Sequence, residues 1–119
     1  MAVWIACDDA EVENGCLHVV PGSQADPIHP HEKPLDPLQQ RIYVEVHSAR
    51  ERAEIAVPLK AGSAVFFNGH MLHRSGHNRS GRRRAYVLHY ADAHSQWLND
   101  PAAVNPFLLV RGREYPGCL

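Results

Sequence analysis

The chain has 119 residues, of which 45% are hydrophobic and 21% charged, and a formal net charge of −1. That balance fits one soluble globular domain with a modest core, and it gives no electrostatic field favouring nucleic acid or an anionic membrane. No apolar run is long enough to span a bilayer, and the N-terminus lacks the basic-then-apolar layout of a secretory signal, so a cytoplasmic protein is expected.

The pattern is mostly β. Val3–Cys7 (VWIAC) is apolar without polar alternation, as in a strand buried on both faces. An acidic connection then ends in Asn14-Gly15, a strong turn signal. Cys16–Val20 is the second expected strand, stopped by Pro21-Gly22-Ser23. Residues 24–40 are rich in proline, with little β pattern, and read as a long loop. Ile42–Val46 and Ala53–Val57 alternate and predict two strands joined by a charged turn. Pro58–Gly62 is a turn and Ala64–Phe67 a strand, with Gly69–His73 expected to resume as the next. Arg84–Tyr90 is the last clear strand. Ser95–Leu98 reads as a short helix or turn, and the tail over 91–119 is expected to pack back on the sheets. About seven short strands separated by turns predict an all-β sandwich or jelly roll, residues 1–119 forming one domain.

Three cysteines, Cys7, Cys16 and Cys118, form no CxxC motif, and the first two are expected to be buried thiols. The chain also holds nine histidines. The segment from His73 to Arg84 stands out among them. A histidine ends an apolar run, a polar turn follows, and an arginine opens the next run. Two adjacent strands joined by that turn would bring His73 and Arg84 into one pocket. An imidazole can ligate a metal, and the planar guanidinium fork meets a carboxylate with two hydrogen bonds. Ser75 is placed to add a third. The plainer alternatives are a hydrogen-bonded core histidine and a solvated turn containing Arg74, Arg79, Arg82, Arg83 and Arg84. His70 and His77 read as facing solvent or supporting the turn.

Three segments together resemble the phytanoyl-CoA dioxygenase family of iron(II)- and 2-oxoglutarate-dependent oxygenases. Val3–Ala10 followed by Glu13–Ser23 is similar to the family's WxAxDD…ENGCLxVxPGS stretch. Val57–Phe67 is similar to the turn and strand before its last metal ligand. Leu72–Ser80, with Arg84 beyond, is similar to its LHxSxxNxS…R signature. The resemblance implies a partial double-stranded β-helix, jelly-roll or cupin-like. It also implies iron(II) and 2-oxoglutarate as cofactors. His73 matches the distal iron ligand, Arg84 the arginine on the far carboxylate of 2-oxoglutarate, Ser75 a further contact to that cosubstrate, and Trp4 a wall of its pocket. The Asn14-Gly15 and Pro21-Gly22-Ser23 pieces look structural, and Asn78 looks like a turn residue.

The match covers only the C-terminal half of a family member. The family's other two iron ligands form a His-x-Asp motif upstream of the tryptophan strand, and no His-x-Asp or His-x-Glu occurs here. His29, His31 and Glu32 in the proline-rich loop are the available substitutes. His18 and His47 lie in expected strands without a suitably spaced carboxylate. Gln24 stands where many relatives have histidine. A jelly roll lacking its N-terminal strands exposes sheet edges and core. A homodimer formed by strand pairing, a separate complementing chain, or an upstream continuation of the reading frame would cover them. Three functions follow. One is hydroxylation of a small organic substrate by an oxygenase of this family. Another is a non-catalytic remnant that binds a small carboxylate or serves as a dimeric scaffold. The last is an arginine-rich module over 74–84 that binds polyanions, which the net charge disfavours.

Overall fold

The computed structural model describes residues 1–37, 44–96 and 107–118. The described residues form two three-stranded antiparallel sheets, with short 3-10 turns as the only helical structure. β1 (Ala2–Ala6) is the centre of the first sheet, flanked by β4 (Ala64–Phe67) and β6 (Ala85–His89). β2 (Leu17–Val19) is the centre of the second, flanked by β3 (Ile55–Val57) and β5 (His73–Ser75). No helix among the described residues is long and apolar enough to cross a membrane.

Register sets the faces, because side chains alternate across a strand. Trp4 lies opposite Val65 on one side and Val87 on the other; Ala6 lies opposite Ala85. These residues share the inner face of the first sheet. Trp4, Ala6, Ala10, Cys16 and Leu17 form the buried core, with Val57, Leu59, Val65, Phe67 and Ala85 packed against it. Leu17 comes from the second sheet, so the two sheets meet face to face. Val3 and Trp4 are both buried although they point to opposite faces of β1, as its unbroken apolar run predicts. Cys16 is buried as expected. Cys7 is exposed, correcting the expectation: it lies one residue past the end of β1, on the outer face that is covered at Val3 and already partly open at Ile5.

Two turns are set by side chains near in sequence. Asn14 Oδ1 accepts from the Glu11 amide at 2.7 Å, and its Nδ2 donates to Asp9 O at 2.8 Å, closing the turn before β2. Gly15 then adopts φ 86° with its Cα face against the Gly76 backbone. In the other case Ser23, fully buried, donates Oγ–H to Val20 O at 2.7 Å and accepts the Leu72 amide at 2.9 Å. The Pro21-Gly22-Ser23 turn therefore anchors the segment that leads into β5.

Some expected elements differ. Among the described residues, Ala53–Val57 pairs through β3 with β2, and not with the preceding run. Residues 47–51 form a 3-10 turn, Glu45 bridges to Glu32 inside the proline-rich stretch, and Ile42 and Tyr43 lie outside the described residues. The strand expected from Gly69 starts only at His73; Asn68 Oδ1 accepts from the amides of His70 and Met71 and folds that stretch into a turn. Ser95 bonds back to Asp92 in a turn, while Trp97 and Leu98 lie outside the described residues. In the tail, Tyr115 stacks on His94 at 3.9 Å between ring centroids, and residues 107–110 are exposed.

The proline-rich loop is held by ion pairs. Asp26 accepts from Arg52 and, at 3.1 Å, from His29, and those bonds hold its carboxyl below the usual range. Glu45 pairs with Arg50 at 2.8 Å.

Gly15→Ala would place a methyl group against the Gly76 carbonyl at a left-handed φ, and is expected to cost about 1–3 kcal/mol or more in urea unfolding. Ser23→Ala leaves the Leu72 amide without its acceptor, with an expected loss of about 1–3 kcal/mol by the same assay. Because the Asp26 carboxyl is depressed, its contribution is present above its unfolded value and is lost as pH falls through the folded one. Thermal melts should therefore show stability dropping below about pH 4, with a shallower drop in Asp26→Asn.

Candidate functional site

On β5, His73 lies opposite Val19 and Ser75 opposite Leu17. The two residues share the face that carries Leu17 into the core, so both look toward the first sheet. The His73 ring meets Phe67 of β4 across the gap, with centroids 4.7 Å apart. Phe67 in turn lies opposite Ala2, in the same inner row as Trp4. His73, Ser75, Phe67 and Trp4 thus line one cleft between the sheets. The cleft is packed shut at Ala6, Ala10 and Cys16. At its other end His73, Ser75 and Val87 are exposed despite facing inward.

The state of His73 follows from its neighbours. Its Nδ1 lies 2.8 Å from Met71 O, and a carbonyl only accepts, so Nδ1 carries the proton. In the neutral tautomer that this bond selects, the lone pair lies on Nε2. An imidazole fixed in one tautomer by a backbone carbonyl is the usual arrangement of a metal-ligating histidine. The support continues outward. Met71 and Leu72 are tied to Ser23, and the His70 Nδ1 lies 2.6 Å from Asp26 O. The buried serine of the Pro-Gly-Ser turn therefore orients His73 indirectly.

The expected partnership of His73 and Arg84 is not what the structure shows. β5 and β6 belong to different sheets, so residues 76–84 cross between sheets instead of joining neighbours. Arg84 faces away from Trp4. Its Nε and Nη2 donate to the two Asp8 oxygens at 2.9 Å each, and its amide donates to Oδ2 at 2.9 Å. These bonds hold the Asp8 carboxyl far below the usual carboxylate range. The residue that reaches the cleft is Arg83. Its guanidinium carbon lies 5.7 Å from the centroid of the Trp4 ring, a cation–π distance. Its Nε is buried and has no hydrogen-bond partner among the described residues. A buried guanidinium N–H without an acceptor is costly, and an anion placed there relieves it. Arg83 is expected from the sequence only as part of the solvated arginine turn; the signal that sets it apart is its spacing of two from Ala85, an inward position.

Asn78 is the turn residue expected, donating Nδ2–H to Gly81 O at 2.7 Å and accepting the Ser80 amide at 3.0 Å. His18 points to the outer face of the second sheet, opposite Arg74, which pairs with Glu54. The loop residues considered as substitute metal ligands are engaged separately: His29 with Asp26, and Glu32 with His47 at 3.2 Å. Among the described residues no three His, Cys, Asp or Glu side chains converge as a metal site. Among the described residues the cleft therefore offers one imidazole and one guanidinium, and not a complete metal coordination set.

The Phytanoyl-CoA dioxygenase (PhyH) family profile matches residues 1–86. The peroxisomal phytanoyl-CoA dioxygenase of Bos taurus is 30% identical over 104 residues, covering 83% of this chain and 30% of the bovine protein. Phytanoyl-CoA dioxygenase domain-containing protein 1 of Danio rerio is 36% identical over 98 residues, covering 78% of this chain and 33% of its own. Among solved structures, EvdO2 from Micromonospora carbonacea var. aurantiaca superposes with TM-score 0.63 at 33% identity, over 72% of this chain and 35% of EvdO2. Its complex with 2-oxoglutarate gives 0.61 at 32% identity, with the same coverage. The chain spans about a third of the length of these relatives. By the profile match and by these identities, the chain belongs to the phytanoyl-CoA dioxygenase family.

Proposed function

We propose that this chain supplies the 2-oxoglutarate side of an iron(II)/2-oxoglutarate-dependent oxygenase site. The observation that carries the reading is the shared cleft: Trp4 and Arg83 come from one sheet, His73 and Ser75 from the other, in a member of this family. Arg83, not Arg84, would receive the far carboxylate of 2-oxoglutarate. Its buried, unpartnered Nε and its seat on the indole favour it, whereas the Arg84 fork is already filled by Asp8. Ser75 Oγ would hydrogen-bond the same carboxylate, and the Trp4 wall would exclude water from the carbon chain. His73 would ligate iron through Nε2, its ring fixed by Met71 O. Bound iron supplies the dioxygen chemistry of such enzymes. In the family reaction 2-oxoglutarate, dioxygen and a substrate C–H bond give succinate, carbon dioxide and an alcohol.

The two sheets would be the opposed walls of a double-stranded β-helix. The other two iron ligands would come from polypeptide that carries a His-x-Asp motif, either in a longer form of this protein or in a complementing chain. The outer face of the first sheet leaves Phe66 65% and Tyr86 59% exposed, an apolar surface such polypeptide or a second copy could cover.

Calorimetry tests the cosubstrate half directly. 2-Oxoglutarate should bind the chain, and Arg83→Gln should weaken binding by about 1.5–3 kcal/mol, the range for hydrogen bonds to a charged group. Arg83→Lys should recover only part of the loss, since an ammonium cannot make the two-pronged contact. Unchanged binding in Arg83→Gln sinks the assignment. Ferrous iron and 2-oxoglutarate should yield succinate only when polypeptide bearing the His-x-Asp ligands is present, and His73→Ala should abolish that yield.

A further inference from the structure

Arg82, Arg83 and Arg84 stand in a row just before β6. Any one of them could face Trp4 if the strand slipped by a residue or two, because a one-residue slip exchanges the two faces of a strand. Something must therefore choose between them. The hairpin turn cannot, since residues 76–84 cross between the sheets and do not form a tight two-residue loop. The choice is made at the end of β1. The ladder between β1 and β6 runs one step beyond the last strand pair, with the Cys7 amide donating to Arg84 O at 3.0 Å. Asp8 then accepts three bonds from Arg84 alone, one from its backbone amide and two from its guanidinium, all at 2.9 Å. The backbone bond fixes the position of the residue, and the forked pair fixes its side chain on the face away from Trp4. With Arg84 committed outward, alternation commits Arg83 inward, onto the Trp4 ring.

We propose that Asp8 and Arg84 are a positioning clamp that selects Arg83, out of three consecutive arginines, as the anion-binding residue of the cleft. The clamp touches neither the cosubstrate nor the metal site; it acts through strand register. This rests on the reading that Arg83 meets the carboxylate of 2-oxoglutarate, but its geometric core, Arg83 seated on Trp4, can be read without any ligand.

The experiment is a nitrogen-15 NMR measurement of arginine side chains in the full chain. In the wild type one Nε–H resonance should be displaced by the Trp4 ring current, and it should vanish in Arg83→Lys, which assigns it. In Asp8→Asn and in Arg84→Gln, each checked for retained sheet content by circular dichroism, the Arg83 displacement should collapse. Ser23→Ala destabilises the fold away from the clamp and should leave the displacement in place, so loss of stability alone does not imitate the effect. Arg84→Lys, which retains the charge and the backbone bond, should retain part of it. In parallel, 2-oxoglutarate binding should weaken about tenfold in Asp8→Asn. A displacement that survives both Asp8→Asn and Arg84→Gln, or that is absent in the wild type, overturns the clamp. If Arg83→Gln instead binds 2-oxoglutarate as the wild type does, the functional assignment of Arg83 falls, and the ring-current result still decides the clamp.

Discussion

One buried cluster that joins Trp4 of β1 with Leu17 of β2 holds the two sheets face to face. Burying side chains of this size is worth roughly 1.5–3 kcal/mol each, a large share of the stability of a domain with so few buried residues. The rest of the site depends on it. The face that carries Leu17 inward also carries Ser75 and, one step along, Val19 and His73. The face that carries Trp4 inward carries Phe67 and leads to Arg83. A single apolar cluster thus turns the inner faces of the two sheets toward one another, and His73 meets Phe67 across the gap.

Local elements were legible in the residues to different degrees. The turns at Asn14-Gly15 and before Ala64 could be read directly, since each needs a particular residue chemistry: an amide side chain folding back on the backbone, and glycines at φ 86°. Strand positions were legible from alternation and apolar runs. Pairing was not. β3 was expected to pair with the run before it, and its described partner is β2, from about forty residues earlier. The same limit hid the arrangement of the site. His73 and Arg84 are close in sequence, which suggests neighbouring strands, yet the chain between them passes from one sheet to the other over the surface. The family motif points to an arginine near this place, but a run of three arginines leaves a one-residue ambiguity. The register on β1 turns Arg83 inward and Arg84 outward.

The division of labour among charged residues also becomes clear. Asp8, Asp9, Asp26 and Glu54 are each engaged by a cation from a distant part of the chain: Arg84, Lys60, Arg52 and Arg74. Such exposed pairs add little stability individually. Their value here lies in fixing which segment lies beside which. In the Arg82–Arg84 run only Arg84 makes such a pair among the described residues, and the Arg83 Nε is buried without a partner.

Both sheets are built around strands that come early, β1 at residues 2–6 and β2 at 17–19, while three of their four partners lie beyond residue 60. This ordering has a consequence for biosynthesis. The apolar β1 stretch leaves the ribosome well before its partners and finds both its neighbours only when β6 has emerged. Until then its hydrogen-bonding edges and the Trp4 surface are unmatched, and closure needs long chain loops, the feature that slows β-rich folding and exposes nascent chains to misassociation. The centre of the finished molecule is the part that must be protected longest while it is being made.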